Sequence, residues 1–256
     1  MKLTMQSIPV LVTAVSCVFL CPALADHCAE HQGKPDKAQL ADGNSLFNGK
    51  DLKGWSGDPR FWSVKNGVIH GSTHEHKADK GNTFLIYQGE DVGDFHLTLE
   101  ARCMGKNNSG VMYRSSLMQG NPFAMAGYQC DIHDKPPFTA MIYGERMGKR
   151  GIIIKRGEKM VIDENGNKNV LSREEVAAVD ISQWNTYEII CKGNHIIHKL
   201  NGEVAIDLVD NDPGKLLKGK IGLQLHAGAP MQAEFRNIRL ERLDENAPTG
   251  EAAKGE

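Results

Sequence analysis

Two short segments of this chain set chemistry-bearing side chains at every second position, and a third contributes a guanidinium in a similar run. In Tyr128-Gln129-Cys130-Asp131-Ile132-His133, an extended backbone sends Tyr128, Cys130 and Ile132 to one face and Gln129, Asp131 and His133 to the other. That second row holds an amide, a carboxylate and an imidazole. Leu223-Gln224-Leu225-His226 repeats the arrangement with Gln224 and His226, and Gly110-Val111-Met112-Tyr113-Arg114 places Arg114 opposite Val111 and Tyr113. If these strands share one sheet, their polar rows form a concave surface carrying acid, base, amide and guanidinium groups. Sugars are bound by such groups, often with an aromatic ring against the sugar face. A solvated sheet face is polar as well, but it favours Lys, Glu and Thr over Gln, Asp and His in register.

Other segments carry weaker signals. Tyr143 to Gly151 is rich in glycine and charge, includes Glu145, and reads as a loop over the concave face or a solvated hairpin tip. It has no GxxxxGK[ST] pattern, and the chain has no GxSxG elbow or HExxH helix. His74 and His76 have a spacing open to metal ligation but sit in a loop-like stretch, and His195 and His198 flank a hairpin and read as surface residues. Four cysteines lie beyond residue 25: Cys28, Cys103, Cys130 and Cys191. Their wide spacing argues against a zinc site and fits buried thiols or one bridge, with three connectivities open.

The elements that must position these groups are strands. Phe95 to Cys103 alternates so that Phe95, Leu97, Leu99, Ala101 and Cys103 face a core while Thr98, Glu100 and Arg102 face away. Asn66-Gly67, Asn165-Gly166 and Asn201-Gly202 are hairpin-grade turn pairs between strand-like flanks. Helical periodicity shows only weakly, near Ser172 to Val176. Many short strands with almost no helix predict an all-β sandwich or barrel.

The ends predict export. Lys2 supplies a positive start, Ile8 to Leu20 are mostly apolar, and Pro22-Ala23-Leu24-Ala25 presents a small-x-small cleavage pattern. The expected organisation is a signal peptide at 1–25, a polar linker at 26–43, the β-sandwich at 44–243 and a polar tail at 244–256, in a periplasmic or secreted protein. The formal charge of -2 offers no basic footprint for nucleic acid, and no later segment is apolar for long enough to span a bilayer as a helix.

An ordered set of motifs then resembles the 3-keto-disaccharide hydrolase family. It runs from Leu46-Phe47-Asn48-Gly49 and Trp62-Ser63-Val64-Lys65-Asn66-Gly67 through Asn108-Ser109-Gly110-Val111-Met112-Tyr113-Arg114 to Trp184-Asn185-Thr186-Tyr187-Glu188 and Phe235-Arg236-Asn237-Ile238. The resemblance implies a concanavalin A-like jelly-roll sandwich of two antiparallel sheets, with a carbohydrate site on the concave one. It also implies cleavage of a glycoside already oxidised at C3, by C2 deprotonation, elimination and hydration. A divalent metal ion as enolate stabiliser, and an oxidoreductase that makes the keto-sugar, belong to the same expectation. Carried over by position, Asp131 and His133 are base or metal-ligand candidates, Glu145 a second carboxylate and Arg114 an oxyanion partner. Gln129, Gln224 and His226 would orient sugar hydroxyls, and Glu100 would support Arg114 from a neighbouring strand. Many members carry Glu-x-Gln where this chain has Gln129-Cys130-Asp131, which moves the acid two residues along the same face. A non-catalytic, lectin-like carbohydrate-binding module therefore stands as the alternative.

Overall fold

A computed structural model of the chain describes residues 44–78, 80–105 and 108–243. The expected signal peptide, linker and tail, with Cys28, lie outside the described residues. Those described form two packed sheets and no helix. In spatial order the seven-stranded sheet holds β1 (Trp55–Ser56), β4 (Thr83–Tyr87), β15 (Lys220–Leu225), β6 (Ser109–Leu117), β7 (Met125–Ile132), β8 (Ile142–Glu145) and β9 (Ile152–Ile154). The nine-stranded sheet holds β11 (Lys168–Arg173), β10 (Glu158–Ile162), β14 (Glu203–Asp210), β13 (His195–Leu200), β12 (Asn185–Lys192), β5 (Phe95–Gly105), β16 (Met231–Arg242), β3 (Val68–Ser72) and β2 (Trp62–Lys65). This is the jelly-roll sandwich that the motifs implied. One pair departs from a wholly antiparallel plan: β10 lies parallel to β14.

Period-two patterning sets the core. On β5, Phe95, Leu97, Leu99, Ala101 and Cys103 are buried between the sheets, and the intervening residues are not. They share one apolar cluster with Val111 and Tyr113 of β6, Tyr128, Cys130 and Ile132 of β7, and Leu223 and Leu225 of β15. Burying each Leu or Phe contributes about 1.5–3 kcal/mol, so this cluster fixes the register of every strand that feeds it. The hairpins β2–β3 and β13–β14 turn at Asn66-Gly67 and Asn201-Gly202, where both residues have positive φ, as a two-residue turn of matching twist requires. The stretch Ser172–Val176 makes no helical turn: Ser172 and Arg173 end β11 and the chain continues as coil.

The sheets are also tied by a buried polar contact. His198, expected at the surface, is fully buried on β13, with Nε2 2.9 Å from the Tyr113 hydroxyl and Nδ1 2.9 Å from the Ala140 carbonyl oxygen. Burial lowers its pKa to about 4, so the ring is neutral and can donate to Ala140 while accepting from Tyr113. Cys103, Cys130 and Cys191 are all buried in the core. Burial raises all three, Cys103 and Cys191 to about 12, which keeps them protonated and unreactive.

Candidate functional site

The face of the seven-stranded sheet that points away from the core carries the row read from β7. Gln129 and Asp131 lie on it, two residues apart, while their neighbours Tyr128, Cys130 and Ile132 enter the core. Gln224 on β15 completes a chain of hydrogen bonds across β6. Gln224 Nε2 donates to Gln129 Oε1 at 2.8 Å, and Gln129 Nε2 donates to Asp131 Oδ1 at 2.5 Å. The strand between them must be bare for this to happen. A Cβ on Gly110 would stand 2.6 Å from the Gln129 amide, far inside contact distance. Asp131 is 3% exposed. Burial raises its pKa to about 7, the Gln129 amide opposes that rise, and the nearby Glu145 carboxylate adds to it.

Glu145 ends β8 and is itself buried. Asn82, just before β4, reaches it from the other side of the sheet, Nδ2 donating to Glu145 Oε1 at 3.2 Å and Oδ1 accepting the Ala227 N–H at 3.0 Å. The Arg146 Nε sits 3.4 Å from Glu145 Oε1, and its guanidinium lies against Gly81. Tyr143–Glu145 belong to β8 and residues 146–151 form the hairpin that joins it to β9, and the β8 end meets the connection before β4 over this face. Tyr143 pairs with Gln129 in the β7–β8 ladder and is half-buried on the same face.

Two imidazoles stand where strands end. His133 follows β7, and the Lys135 N–H donates to its Nδ1 at 3.0 Å, which puts the proton of the neutral ring on Nε2. Asp134 Oδ1 is also 3.1 Å from Nδ1 and favours the cation, but burial outweighs it and lowers the pKa. His226 follows β15, and its Nδ1 lies 2.6 Å from the Ala227 carbonyl, to which a neutral ring donates. That bond leaves Nε2 of His226 as the nitrogen without a proton, the opposite tautomer to His133.

Two expected members stand elsewhere. Arg114 is fully buried and four of its five N–H groups are engaged: Nε on the Gly93 carbonyl at 2.9 Å, Nη1 on those of Gly193 at 2.7 Å and Leu216 at 3.2 Å, and Nη2 on Asp94 at 3.1 Å. A bulge in β6 between Tyr113 and Ser116, with Arg114 at φ +47°, breaks the alternation that assigned it to the polar row. It clamps loops and holds no oxyanion. Glu100 lies on β5, in the opposite sheet, where it pairs with Arg236 at 2.6 Å and Asn237 at 2.8 Å. It cannot support Arg114. Sequence reading missed Asn82 and Tyr143; the alternation of Ile142 and Tyr143 carries the signal for the latter.

Residues 42–241 match the 3-keto-alpha-glucoside-1,2-lyase-like domain. The chain belongs to this family. No curated protein matches it. Among solved structures, two from Parabacteroides distasonis with provisional glycosyl hydrolase descriptions are similar at 20% identity. One has a TM-score of 0.53 over 82% of this chain and 99% of its own, the other 0.52 over 77% and 98%. At that identity they show the fold alone. A carbohydrate-binding module, CBM66 from Bacillus subtilis, follows at a TM-score of 0.49 and 18% identity over 73% of this chain and 95% of its own.

The divalent ion that the family resemblance implied does not fit the residues described. Among them, no group of three or more His, Cys, Asp or Glu side chains converges as metal ligands, and His74 and His76 belong to no such group. Asp131 instead faces the Gln129 amide, and His133 Nδ1 faces a backbone N–H.

Proposed function

We propose that this domain cleaves glycosides whose sugar carries a ketone at C3. One observation supports this above the rest: a nine-tenths-buried carboxyl, Asp131, is poised to gain and lose a proton near neutral pH on the outer face of the sheet. A C3 ketone acidifies the C2 proton, so the reaction needs a base of this kind rather than the carboxylate pair of ordinary glycosidases. Asp131 takes the C2 proton, and the electron pair passes into the enolate. As the enolate collapses, a C1=C2 double bond forms and the C1–O bond breaks, with His133 Nε2–H giving its proton to the departing oxygen. Water then adds at C1, returning a proton to His133, and Asp131 returns its own to C2. The sum is hydrolysis. Gln129 positions Asp131 by donating to it, and Gln224 holds the Gln129 amide in turn. Arg146, beside Glu145, faces the developing enolate in the place expected of Arg114. The ketone itself must come from an oxidoreductase acting beforehand on the C3 hydroxyl.

The second reading, a binding module without turnover, is favoured by one feature: the Gln224–Gln129–Asp131 chain is satisfied without a ligand. Incubating residues 26–256 with a phenyl 3-keto-glucoside separates the two. The enzyme reading expects released phenol, and a loss of about 10²–10⁴-fold in kcat/KM for Asp131→Asn with the fold intact. Binding without any released phenol would leave the module reading in its place. The N-terminal pattern supports an exported protein, checked by sequencing the mature N-terminus, expected at Asp26.

A further inference from the structure

Tyr143 stands one strand over from the Gln129–Asp131 row. It pairs with Gln129 across the β7–β8 ladder, so its side chain leaves the sheet on the face that carries Asp131. Its neighbour Ile142 enters the core, while Tyr143 stays half-buried. Asp131 bonds through its N–H to the Met141 carbonyl at 3.3 Å, which makes it the diagonal neighbour of Tyr143. Such neighbours lie about 7–8 Å apart along the sheet, within reach of an aromatic side chain.

This ring is not used as the other rings are. Tyr113 and Tyr128 anchor their hydroxyls in the core, on His198 at 2.9 Å and Asp210 at 2.7 Å. The Tyr143 hydroxyl has no hydrogen bond among the described residues. Half-buried rings elsewhere are already covered: Tyr87 packs on Trp55, Phe138 on His133, and Trp184 under two guanidinium groups. Among the described residues, neither a ring nor a cation lies on Tyr143. Beyond it the sheet ends, for β9 is the edge strand and Ile152, the register partner of Tyr143, is 41% exposed. A Cβ on Gly151 would stand 3.6 Å from Tyr143 Cε2, so the residue against the ring is one with no side chain to cover it.

An open aromatic face beside hydrogen-bonding groups matches the two sides of a pyranose. The C–H bonds of the sugar face pack on the ring, and the hydroxyls at its rim meet polar groups. Here those groups are the Gln129 amide and, two residues along β8, Glu145. We infer that Tyr143 is the platform on which the glycoside's sugar ring stacks, holding it over the sheet within reach of Asp131. The inference rests on the keto-glycoside reading for the identity of the sugar, but the stacking is measurable without turnover.

The probe is methyl 3-keto-glucoside, titrated by NMR against residues 26–256 carrying Asp131→Asn so that it is not consumed. Nuclear Overhauser contacts are expected between the Tyr143 ring protons and the sugar C–H protons. Adding Tyr143→Phe should leave the affinity within about 2-fold, and adding Tyr143→Ala should weaken it by about 10-fold. Gly151→Leu, which keeps the tyrosine and covers its ring, should weaken binding as well. Absent ring contacts, an alanine variant that binds like the parent, or a phenylalanine variant as weak as alanine each overturns the inference. The second arm is phenol release from phenyl 3-keto-glucoside by chains that keep Asp131. If no phenol appears while the contacts and the alanine loss stand, the cleavage reading fails and the platform remains. If phenol appears and Tyr143→Ala changes neither KM nor kcat, the platform fails and the cleavage reading remains.

Discussion

The two outer faces of the sandwich are both polar, yet they handle charge in opposite ways. On the nine-stranded sheet, acids meet basic side chains from adjacent strands. Glu234 takes Arg102 at 2.5 Å and His70 at 3.0 Å, Glu100 takes Arg236 at 2.6 Å, and Asp207 takes Lys159 at 2.9 Å and His195 at 2.7 Å. The guanidinium groups of Arg102 and Arg236 both lie over the Trp184 ring, at 4.7 and 4.1 Å. Burial would raise Glu234 and Asp207, but their partners overcome it and hold both below the ordinary carboxylate range. On the seven-stranded sheet, Asp131 meets a neutral amide and a second carboxylate, and its pKa rises to about 7. A face that only has to be wet neutralises its charges pair by pair, at modest gain. A face that keeps an unneutralised buried acid carries a cost in stability, and such costs gather at functional sites.

The largest expected effect that separates the faces is in stability against pH. The folded state binds the Asp131 proton more tightly than the unfolded chain does, with a pKa near 7 against an ordinary 3.8. Its contribution is therefore whole below about pH 4 and is lost as pH rises through 7, up to about 4 kcal/mol in all. Urea unfolding of Asp131→Asn should lose that slope and be more stable than the parent at pH 8. Glu234→Gln on the other face should show the reverse trend, losing stability most where the parent's Glu234 is ionised.

Next comes Gly110→Ala, which drives a methyl into the Gln129 amide and should cost about 1–3 kcal/mol in denaturant unfolding. It should also lower kcat/KM, because Asp131 loses its donor. A smaller shift is expected from Glu145→Gln, which removes a like charge and so brings the acidic limb of the pH–rate profile to lower pH by less than about one unit. Arg236→Ala should be the mildest, at about 1 kcal/mol or less with unchanged turnover, since it breaks a part-exposed pair far from Asp131.

Much of this plan was legible in the chain. The alternation of β5, the Asn-Gly turns and the outward row of Gln129 and Asp131 all follow from period two, a local property that packing then enforces. His198 shares the parity of the buried Ile196 and Leu200, so its burial was also written there, though its place flanking a hairpin argued for the surface. The misses are of another kind. Arg114 was misplaced because a bulge, with its positive φ, resets the alternation inside β6. Glu100 was misplaced because the sheet that a strand joins depends on partners far along the chain, here β12 and β16. Asn82 escaped notice because its role depends on a meeting between the connection before β4 and the end of β8, and no local pattern encodes that.

The difference between the faces can be read directly from carboxyl titrations. Carbon-13 NMR of the aspartate side chains, assigned by Asp131→Asn and Asp207→Asn, would follow both groups in one sample. Asp131 should titrate near 7, and Asp207, on the paired face, below its ordinary 3.8. An Asp131 that titrates with the exposed aspartates near 4 would contradict the account, for the face would then hold no proton to exchange at neutral pH.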